Sequence, residues 1–393
     1  MHALLRFSKR LLLVCVGFTI LSSILATFVI LFGEKPNTEV LTKKTEHGQR
    51  INKELLRSKF IGTTSVLGKW LLSSEGSLVP PIINKKKGPY LILIWKYGKF
   101  LERRHIRRFT NNKFSPWENC TVKCILSYES GDLNIADAVV FHLHLTRNVL
   151  ELPTRTRWNQ RWIFLTDESP IHTFLYGTQE LSIYNGLFNW SMTYRMNSDV
   201  PVPYGRTIST LFINSPNINF SSDLIKKSKT KLVTVMGSNC GGINGRWKYI
   251  RQLKLIFGND LDIYGKCLNE YLTEKVFWHG YHKLAIPVIM GAPKKDCEKL
   301  LPPHSFLHVS DFADPVALAN YIHYLNKHNE KYFEYHEWRK YFKVINEHGY
   351  FGSISRHYCR VCEALHYNSP TIKVYDNIEL FWNKKRDCNI NKT

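Results

Sequence analysis

The sequence has few acidic residues for its size. Its 393 residues include 32 Asp and Glu against 54 Lys and Arg, which gives a formal net charge of +22. Such a balance suits a nucleic acid, a membrane surface or an anionic small molecule as a partner. The basic residues are scattered in short clusters, and no zinc-finger, RNP or helix-turn-helix pattern accompanies them. We therefore expect no nucleic-acid partner.

The sequence also lacks a second CxxC motif, a GxGxxG motif and internal repeats. Without a second CxxC, Cys359-Arg-Val-Cys362 cannot complete a zinc site of that type, and no thioredoxin-like context supports a redox role. Of the nine cysteines, Cys15 lies in an apolar run, and the other eight are an even number suited to disulfides. We predict that Cys359 and Cys362 are structural half-cystines.

Residues 11–32 form an uncharged, largely apolar run. As a helix this run would be about 33 Å long, enough for a hydrocarbon core of roughly 30 Å. Arg6, Lys9 and Arg10 precede it, so the positive-inside rule leaves residues 1–10 in the cytosol. A cleaved signal peptide is the alternative, but the run is long for one and no clear small-x-small site follows. We predict a single-pass type II anchor, with the remainder in the lumen.

Four sequons permit N-glycosylation in such a lumen, at Asn119, Asn189, Asn219 and Asn391. The motif is common by chance, so these sites support the compartment without establishing it. Residues 33–87 are polar and weakly periodic, as expected of a stem with one helical patch at residues 53–70.

The remaining 300 or so residues exceed one average domain and predict two. Apolar strands alternate with helical segments in two blocks, which points to paired Rossmann-like α/β domains with a cleft between them. Asp314-Pro315 starts a long helix, with Asp as the N-cap. The predicted strands are Leu91–Trp95, Ala138–His142, Trp162–Asp167, Leu232–Met236, Leu261–Tyr264 and Ala285–Met290, and a further helix is predicted at Glu270–Lys283.

A strand-end motif stands out in the first block. The apolar segment WIFLTDE ends at Glu168 and is followed by Ser169, Pro170 and His172. The blocks FNWSMTYRMNSD and VPYG come after it. Glu168 is thereby placed as a candidate general base at the carboxyl edge of a sheet, where open α/β folds bind ligands. Asp167 is a rival base, and a strand-end capping carboxylate is the structural alternative for Glu168.

These blocks, in this order, resemble the acceptor half of α1,3-fucosyltransferases. The resemblance implies a GT-B fold, a Golgi location and Glu168 as the catalytic base. It also implies that the acceptor lies near His142, His172, Tyr194 and Arg195. For His144 we expect a structural role.

The second block carries the donor-side signals. Ser238-Asn239-Cys240 follows a predicted strand, and a glycine-containing turn leads to Arg246. In the family, this pattern binds the diphosphate of GDP-fucose. The guanidinium of Arg246 suits that role because it pairs with phosphate oxygens. The block Tyr271-Leu-Thr-Glu274-Lys275 resembles the family's YVTEK motif. The resemblance implies that Tyr271 packs near the nucleotide, Glu274 binds ribose hydroxyls and Lys275 meets the diphosphate. On spacing alone, Glu274-Lys275 is an ordinary solvated pair.

One piece of the family pattern is missing. Between its DIYGKC-like strand and YVTEK, the family carries an insert with a strand and a Phe-Glu-Asn-Ser signature. This chain passes directly from Cys267 through three residues to Tyr271. If the family fold holds, a strand is missing from the donor domain, and its neighbours must re-pair or stay unsatisfied.

A polar linker, SSDLIKKSKTK at residues 221–231, divides the two blocks. We predict an acceptor-side domain at residues 88–222, a donor domain at residues 223–368 and a C-terminal tail at residues 369–393. The resemblance links Cys120 and Cys124 to the C-terminal pair Cys359 and Cys362.

The implied reaction is inverting transfer of L-fucose from GDP-fucose to the 3-hydroxyl of a GlcNAc in a glycan. We expect no bound metal and no tightly bound cofactor. Asp260-Leu-Asp262 is spelled like a DxD motif but begins a strand, and the sixteen histidines lack a convincing ligand spacing. Stimulation by a divalent cation stays open. The alternative function is a catalytically inactive Golgi homologue that binds glycan or partners an active glycosyltransferase.

Overall fold

The computed structural model describes residues 65–73, 89–102, 120–176, 179–209, 229–236, 245–264, 272–349, 353 and 355–388. All of them lie in the compact unit Arg57–Thr393. The predicted membrane span at residues 11–32 lies outside this set. Among the helices of the described residues, none has the length and apolar character to cross a bilayer.

The first half of the chain forms a six-stranded, wholly parallel sheet with the strand order β2-β1-β3-β4-β5-β6. The prediction of a strand at Ala138–His142 is confirmed to the residue, and the strands at 91–95 and 162–167 each begin one residue earlier. The strands are Tyr90–Ile94 (β1), Cys124–Ser127 (β2), Ala138–His142 (β3), Arg161–Thr166 (β4), Trp190–Thr193 (β5) and Val200–Pro201 (β6).

Both faces of this sheet are covered, which is why its central strands are continuous apolar runs rather than alternating ones. Successive residues of β4 contribute to opposite cores. Ile163 and Leu165 pack on one face, while Trp162 and Phe164 pack on the other. Every residue of β3, β4 and β5 is buried. The sheet is therefore a rigid platform whose carboxyl edge presents the strand-end residues.

The chain's C-terminal segment returns to this first sheet. Helix His357–Tyr367 is buried along nearly its whole length and shares a core with β1 and β3. Ile378 and Trp382 are fully buried in the core on the opposite face. The predicted boundary at residue 368 therefore does not follow the packing, and the described part of the predicted tail, residues 369–388, packs on the first domain.

The second half contains helices and short strand pairs. Asp314 caps the helix Pro315–Lys327 by accepting a hydrogen bond from the Ala317 backbone N–H at 2.7 Å, which confirms the predicted N-cap. The α-helices described are Val66–Leu72 (α1), Gly98–Glu102 (α2), Arg246–Phe257 (α3), Lys294–Leu300 (α4), Pro315–Lys327 (α5), Asn329–Glu334 (α6), His357–Tyr367 (α7) and Lys384–Asp387 (α8), and Lys275–His282 forms a π-helix.

The strands of this half do not form one continuous sheet within the described residues. Val233–Met236 (β8) pairs with Leu261–Tyr264 (β9), and Val288–Ile289 (β10) pairs with Leu307–His308 (β11), both in parallel. On β9, Ile263 is 43% exposed. The expected second Rossmann-like sheet is thus present as two separate pairs, and β9 is the strand that precedes the missing insert.

One antiparallel pair joins the two halves. Gly205–Ser209 (β7) follows the six-stranded sheet, and Phe342–Asn346 (β12) comes after the second half of the chain. Their five-residue register brings the segment after β12 back to the carboxyl edge of the first sheet. This return positions the residues described below.

Candidate active site at the end of strand β4

Glu168 lies at the carboxyl end of the buried strand β4. In the run from Arg161 to Pro170, every residue except Glu168 is buried. Its backbone N–H donates to Thr166 Oγ1 at 3.3 Å, and Pro170 begins a 3₁₀ turn that ends at His172. The backbone on both sides is therefore fixed, while the Glu168 side chain reaches solvent at the sheet edge expected for a ligand.

Asp167, next to Glu168, is held from three directions. Its Oδ1 lies 3.1 Å from His357 Nε2 and 3.4 Å from His348 Nε2, and its backbone carbonyl accepts from the Tyr204 hydroxyl at 3.0 Å. The His348 ring stacks on the Tyr204 ring with centroids 3.8 Å apart. His357 Nδ1 is in turn 2.9 Å from Ser355 Oγ, which fixes the ring orientation.

These contacts separate the two candidate bases. Burial alone would raise the pKa of Asp167, but the charges and hydrogen bonds of His348 and His357 outweigh it and hold that pKa well below its usual value. Asp167 is 1% exposed. A buried carboxylate that two imidazoles already engage is poorly placed to meet a substrate hydroxyl, whereas the neighbouring Glu168 is partly exposed.

The three side chains of Asp167, His348 and His357 are also of the types that bind transition metals. One ligand atom from each lies within 4.8 Å of the others, and all three residues are buried. Imidazole and carboxylate groups are common zinc ligands. The contacts of 3.1 and 3.4 Å are equally those of imidazole–carboxylate hydrogen bonds or ion pairs. Sequence reasoning missed this cluster because Asp167 lies more than 180 residues before the two histidines.

Asp167→Asn is expected to destabilise the folded chain by about 3 kcal/mol at neutral pH, because it removes the charge that two buried imidazoles face. The folded-state pKa is the lower one, so this stabilisation is present above the unfolded pKa of roughly 3.9 and is lost as pH falls through the folded value. Thermal unfolding between about pH 5 and pH 1, the range in which this stabilisation is lost, should show a flatter acid limb for the variant. Asp376→Asn, at an exposed carboxylate, is the control. Equal pH profiles for Asp167→Asn and wild type would contradict the prediction.

The predicted acceptor-side residues fall into two groups. His142 ends β3, is 1% exposed and lies 6.2 Å, ring to ring, from His144. His144 Nδ1 is 2.8 Å from the carbonyl of His172, which is half-buried, so these three histidines lie at the same edge as Glu168. The His144 contact fits the expected structural role.

Tyr194 and Arg195 instead contact the C-terminal segment. Tyr194 packs edge-on against Trp382, and burial raises its pKa. Arg195 Nη1 donates to the Phe381 carbonyl at 2.8 Å and to Asp387 Oδ2 at 3.1 Å. These contacts favour a structural role for the Arg195 guanidinium over direct contact with an acceptor.

The predicted donor-side residues are described in part, since Asn239 and Tyr271 lie outside the described residues. Arg246 is the first residue of α3 and follows Gly245, whose φ of 70° is the left-handed conformation that glycine tolerates. The amino terminus of a twelve-residue helix favours an anion. Glu274 is 8% exposed, and its Oε1 accepts from Lys275 Nζ at 3.0 Å. Glu274 is therefore buried and ion-paired with Lys275, whose side chain is partly exposed, so this is not an ordinary solvated pair.

Gly205, the last residue of the VPYG block, joins the two halves at close range. A Cβ built on it would lie 2.4 Å from the Ile345 carbonyl oxygen and 2.6 Å from the Phe277 ring. Phe277 belongs to the π-helix that starts at Lys275. Only glycine fits here without displacement, so this position fixes how closely the Lys275 helix approaches β7.

A buried ionic network anchors the returning segment. Glu347 accepts from Arg206 and from Arg360, each at 3.1 Å, and Arg360 also donates to Glu363 Oε2 at 2.6 Å. Burial alone would raise the pKa of Glu347, but Arg206 and Arg360 outweigh it and lower it from 4.5 to about 2. The network ties β7, the residue before His348 and helix α7 together. No local sequence signal marks it.

The predicted cross-links are confirmed. Cys120 is bonded to Cys359 with Cα atoms 5.5 Å apart, and Cys124 is bonded to Cys362 with Cα atoms 6.2 Å apart. The Cys124 bridge holds helix α7 against the first residue of β2, and the Cys120 bridge holds it against the segment just before that strand, so together they fix the helix that begins at His357.

The prediction of a glycan at Asn189 is wrong for the folded chain. The side chain is fully buried, and its Nδ2 donates to the Lys373 carbonyl at 2.8 Å. Its Oδ1 accepts from the Trp162 backbone N–H at 2.9 Å. Both amide atoms bind the backbone, so no room remains for a sugar. The sequons at Asn119, Asn219 and Asn391 lie outside the described residues.

Two family models match the chain. The N-terminal fucosyltransferase model matches residues 87–205, and the model of glycosyltransferase family 10 (fucosyltransferase), C-terminal part, matches residues 268–381. Together they cover more than half of the chain. The first match contains Glu168 and the second contains Glu274, Lys275 and the Cys359–Cys362 pair.

Individual relatives agree with these matches. The chain is 29% identical over 324 residues to 4-galactosyl-N-acetylglucosaminide 3-alpha-L-fucosyltransferase 9 of Bos taurus, covering 75% of this chain and 82% of the relative. It is 26% identical over 301 residues to glycoprotein 3-alpha-L-fucosyltransferase A of Drosophila melanogaster, covering 67% of this chain and 55% of the relative.

A solved structure of an α1,3-fucosyltransferase with GDP-fucose aligns at a TM-score of 0.41 and 15% identity, over 78% of this chain and 98% of that one. The two family matches, which include the residues placed at the carboxyl edge of the first sheet, decide the identity. The chain belongs to glycosyltransferase family 10, the fucosyltransferases.

Proposed function

We propose that this protein is an inverting α1,3-fucosyltransferase of the GT-B type. It transfers L-fucose from GDP-fucose to the 3-hydroxyl of a GlcNAc in a glycoprotein or glycolipid glycan. The observation that carries the proposal is the end of β4, where Glu168 alone in the run 161–170 reaches solvent and its neighbour Asp167 is locked in place.

The proposed chemistry needs one base and no covalent intermediate. Glu168 takes the proton of the acceptor hydroxyl as that oxygen attacks the anomeric carbon, on the face opposite the departing GDP. Arg246, at the amino terminus of α3, and Lys275 stabilise the charge that grows on the diphosphate. Glu274 accepts hydrogen bonds from ribose hydroxyls. To do so, its carboxylate either leaves the ion pair with Lys275 or binds Lys275 and the ribose at the same time.

Arg246→Ala is expected to weaken GDP and GDP-fucose binding by about 10–100-fold, because it removes a charged phosphate partner. Titration of the purified chain with GDP measures this effect directly, without turnover. Arg251→Ala, an exposed arginine on the same helix, should leave binding unchanged. Equal GDP affinities for both variants and wild type would remove Arg246 from the donor site.

A second candidate function rests on the donor half. Strands β8 and β9 pair only with each other within the described residues, next to the point where the family insert is missing. The alternative is therefore a catalytically inactive homologue that binds glycan or partners an active glycosyltransferase. A transfer assay on this chain, and on the chain with the Phe-Glu-Asn-Ser insert restored, decides between the two. Transfer by the restored chain alone would assign the inactive role to the sequence as it stands. Failure of both chains to bind GDP would contradict the transferase proposal itself.

The proposed location is the Golgi membrane, with residues 11–32 as the anchor and the catalytic part in the lumen. In sealed microsomes, protease is expected to spare everything after residue 32, and endoglycosidase is expected to remove glycans from Asn119, Asn219 or Asn391. A single Asn189→Gln change should not alter the glycan mass, because that side chain is buried. Digestion of the main body in sealed vesicles, together with the absence of glycan, would reverse the predicted topology.

A further inference from the structure

A cavity of about 220 Å³ opens at the amino-terminal edge of the six-stranded sheet, away from Glu168. Tyr90, Arg161 and Trp190 line it, and each is the first residue of its strand. Glu168 follows the other end of β4. Six residues of strand at about 3.3 Å each separate the two edges by roughly 20 Å. The cavity is therefore distinct from the proposed catalytic centre.

Arg161 gives the cavity a buried donor. The residue is 7% exposed, and its guanidinium stacks over the Trp190 ring, 5.3 Å from the centroid. Its Nη2 donates to the Pro370 carbonyl. Its Nη1 is buried and has no hydrogen-bond partner among the described residues. A buried N–H group without an acceptor costs free energy, so a ligand oxygen at this position is favourable.

Asn368 gives the same cavity an acceptor. Its Nδ2 donates to the Asp199 carbonyl at 3.0 Å, which fixes the orientation of the amide. Its Oδ1 is buried and, like Arg161 Nη1, is left without a partner by the described residues. A ligand that satisfies both groups must offer an acceptor to Arg161 and a donor to Asn368.

The remaining walls limit the class of ligand. Asp137 contributes a carboxylate whose Oδ2 accepts from the Leu91 backbone N–H at 2.8 Å, so the cavity holds one positive and one negative side chain. That balance disfavours a strongly charged ligand. Leu365 and Ile372 add apolar surface. The volume is below the roughly 300–1,000 Å³ of pockets for drug-sized molecules, which matches a single ring.

We infer that this cavity is a second sugar-binding site that takes one neutral N-acetylhexosamine ring. The acetamido carbonyl accepts from Arg161 Nη1, and a hydroxyl or amide N–H donates to Asn368 Oδ1. The ring carbons and the methyl group pack on Leu365 and Ile372. Under the proposed transferase function, the site would hold one branch of a glycan while another branch reaches Glu168, which raises the effective concentration of branched acceptors.

The test is equilibrium binding of methyl N-acetyl-β-glucosaminide to the full chain in detergent, without GDP-fucose, by calorimetry. Arg161→Met and Asn368→Leu are each expected to weaken binding by about tenfold, because each removes one hydrogen-bond partner. Arg157→Met is the matched control: this arginine lies near the same edge and donates to the Asn134 carbonyl, outside the cavity. The acceptor site at Glu168 would also take a GlcNAc ring, so the affinity assigned to the cavity is the component that Arg161→Met and Asn368→Leu lose and Arg157→Met keeps.

Three outcomes would overturn the inference. These are equal affinity for Arg161→Met, Asn368→Leu and wild type, no saturable binding of the methyl glycoside, or binding of inorganic phosphate in preference to the sugar. Thermal unfolding of each variant identifies loss of fold, and the partly exposed Asn368 supplies a result if Arg161→Met does not fold. Equal binding by the cavity variants and wild type leaves the transferase proposal standing, because transfer at Glu168 does not require this cavity.

Discussion

Glu168→Gln is expected to reduce the turnover number by about 10²–10⁴-fold while GDP-fucose binding stays largely intact. The substitution keeps the size and shape of the side chain and removes the group that accepts the proton. The contacts of Asp167 should persist, because His348, His357 and Tyr204 hold it next to Glu168. The loss should therefore be in the chemical step.

The measurement is a fucose-transfer assay combined with GDP titration, on whichever form of the chain transfers fucose. Glu180→Gln is the matched control, since it makes the same chemical change at an exposed carboxylate of the same domain. An unchanged rate for Glu168→Gln would show that another carboxylate is the base. Asp167 would not be the first substitute to test, because it is buried and engaged by two imidazoles.

Removal of the Cys120–Cys359 bridge is expected to lower the free energy of unfolding by about 2–3 kcal/mol. The Cys124–Cys362 bridge still closes the long loop, so in the chain-entropy model the loss is that of the short ring formed by residues 120–124 and 359–362. Helix α7 starts two residues before Cys359. The loss of the bridge should therefore also increase the mobility of His357 and weaken its contact with Asp167.

Denaturant unfolding of the double variant Cys120→Ala/Cys359→Ala, under non-reducing conditions, measures the effect. Cys388→Ala is the control, since it removes a cysteine and leaves both bridges in place. An unchanged midpoint would contradict the prediction. Peptide mapping that found a closed Cys359–Cys362 ring would contradict the pairing itself.

Local patterns in the sequence were sufficient for much of the first domain. Continuous apolar runs predict buried parallel strands, and β3 and β4 lie where those runs are. The Asp-Pro pair predicts the start of helix α5, because capping depends on residues within one turn. Glu168 was identifiable because a strand end and its loop are contiguous in the chain. The pairing of Cys120 and Cys124 with Cys359 and Cys362 required the family resemblance, since spacing alone does not fix connectivity.

The tertiary structure decided what depends on contacts between distant segments. The burial of Asn189 follows from hydrogen bonds to residues 162 and 373, which no sequon reveals. The contacts of Asp167 with His348 and His357 form only because the chain returns to the first sheet after β12. They join residues more than 180 positions apart. The separation of β8–β9 from β10–β11 depends on which strands find partners across the donor half. Local propensity and motif spacing determine the elements and their chemistry, whereas only long-range packing determines which of those groups are buried, paired or exposed.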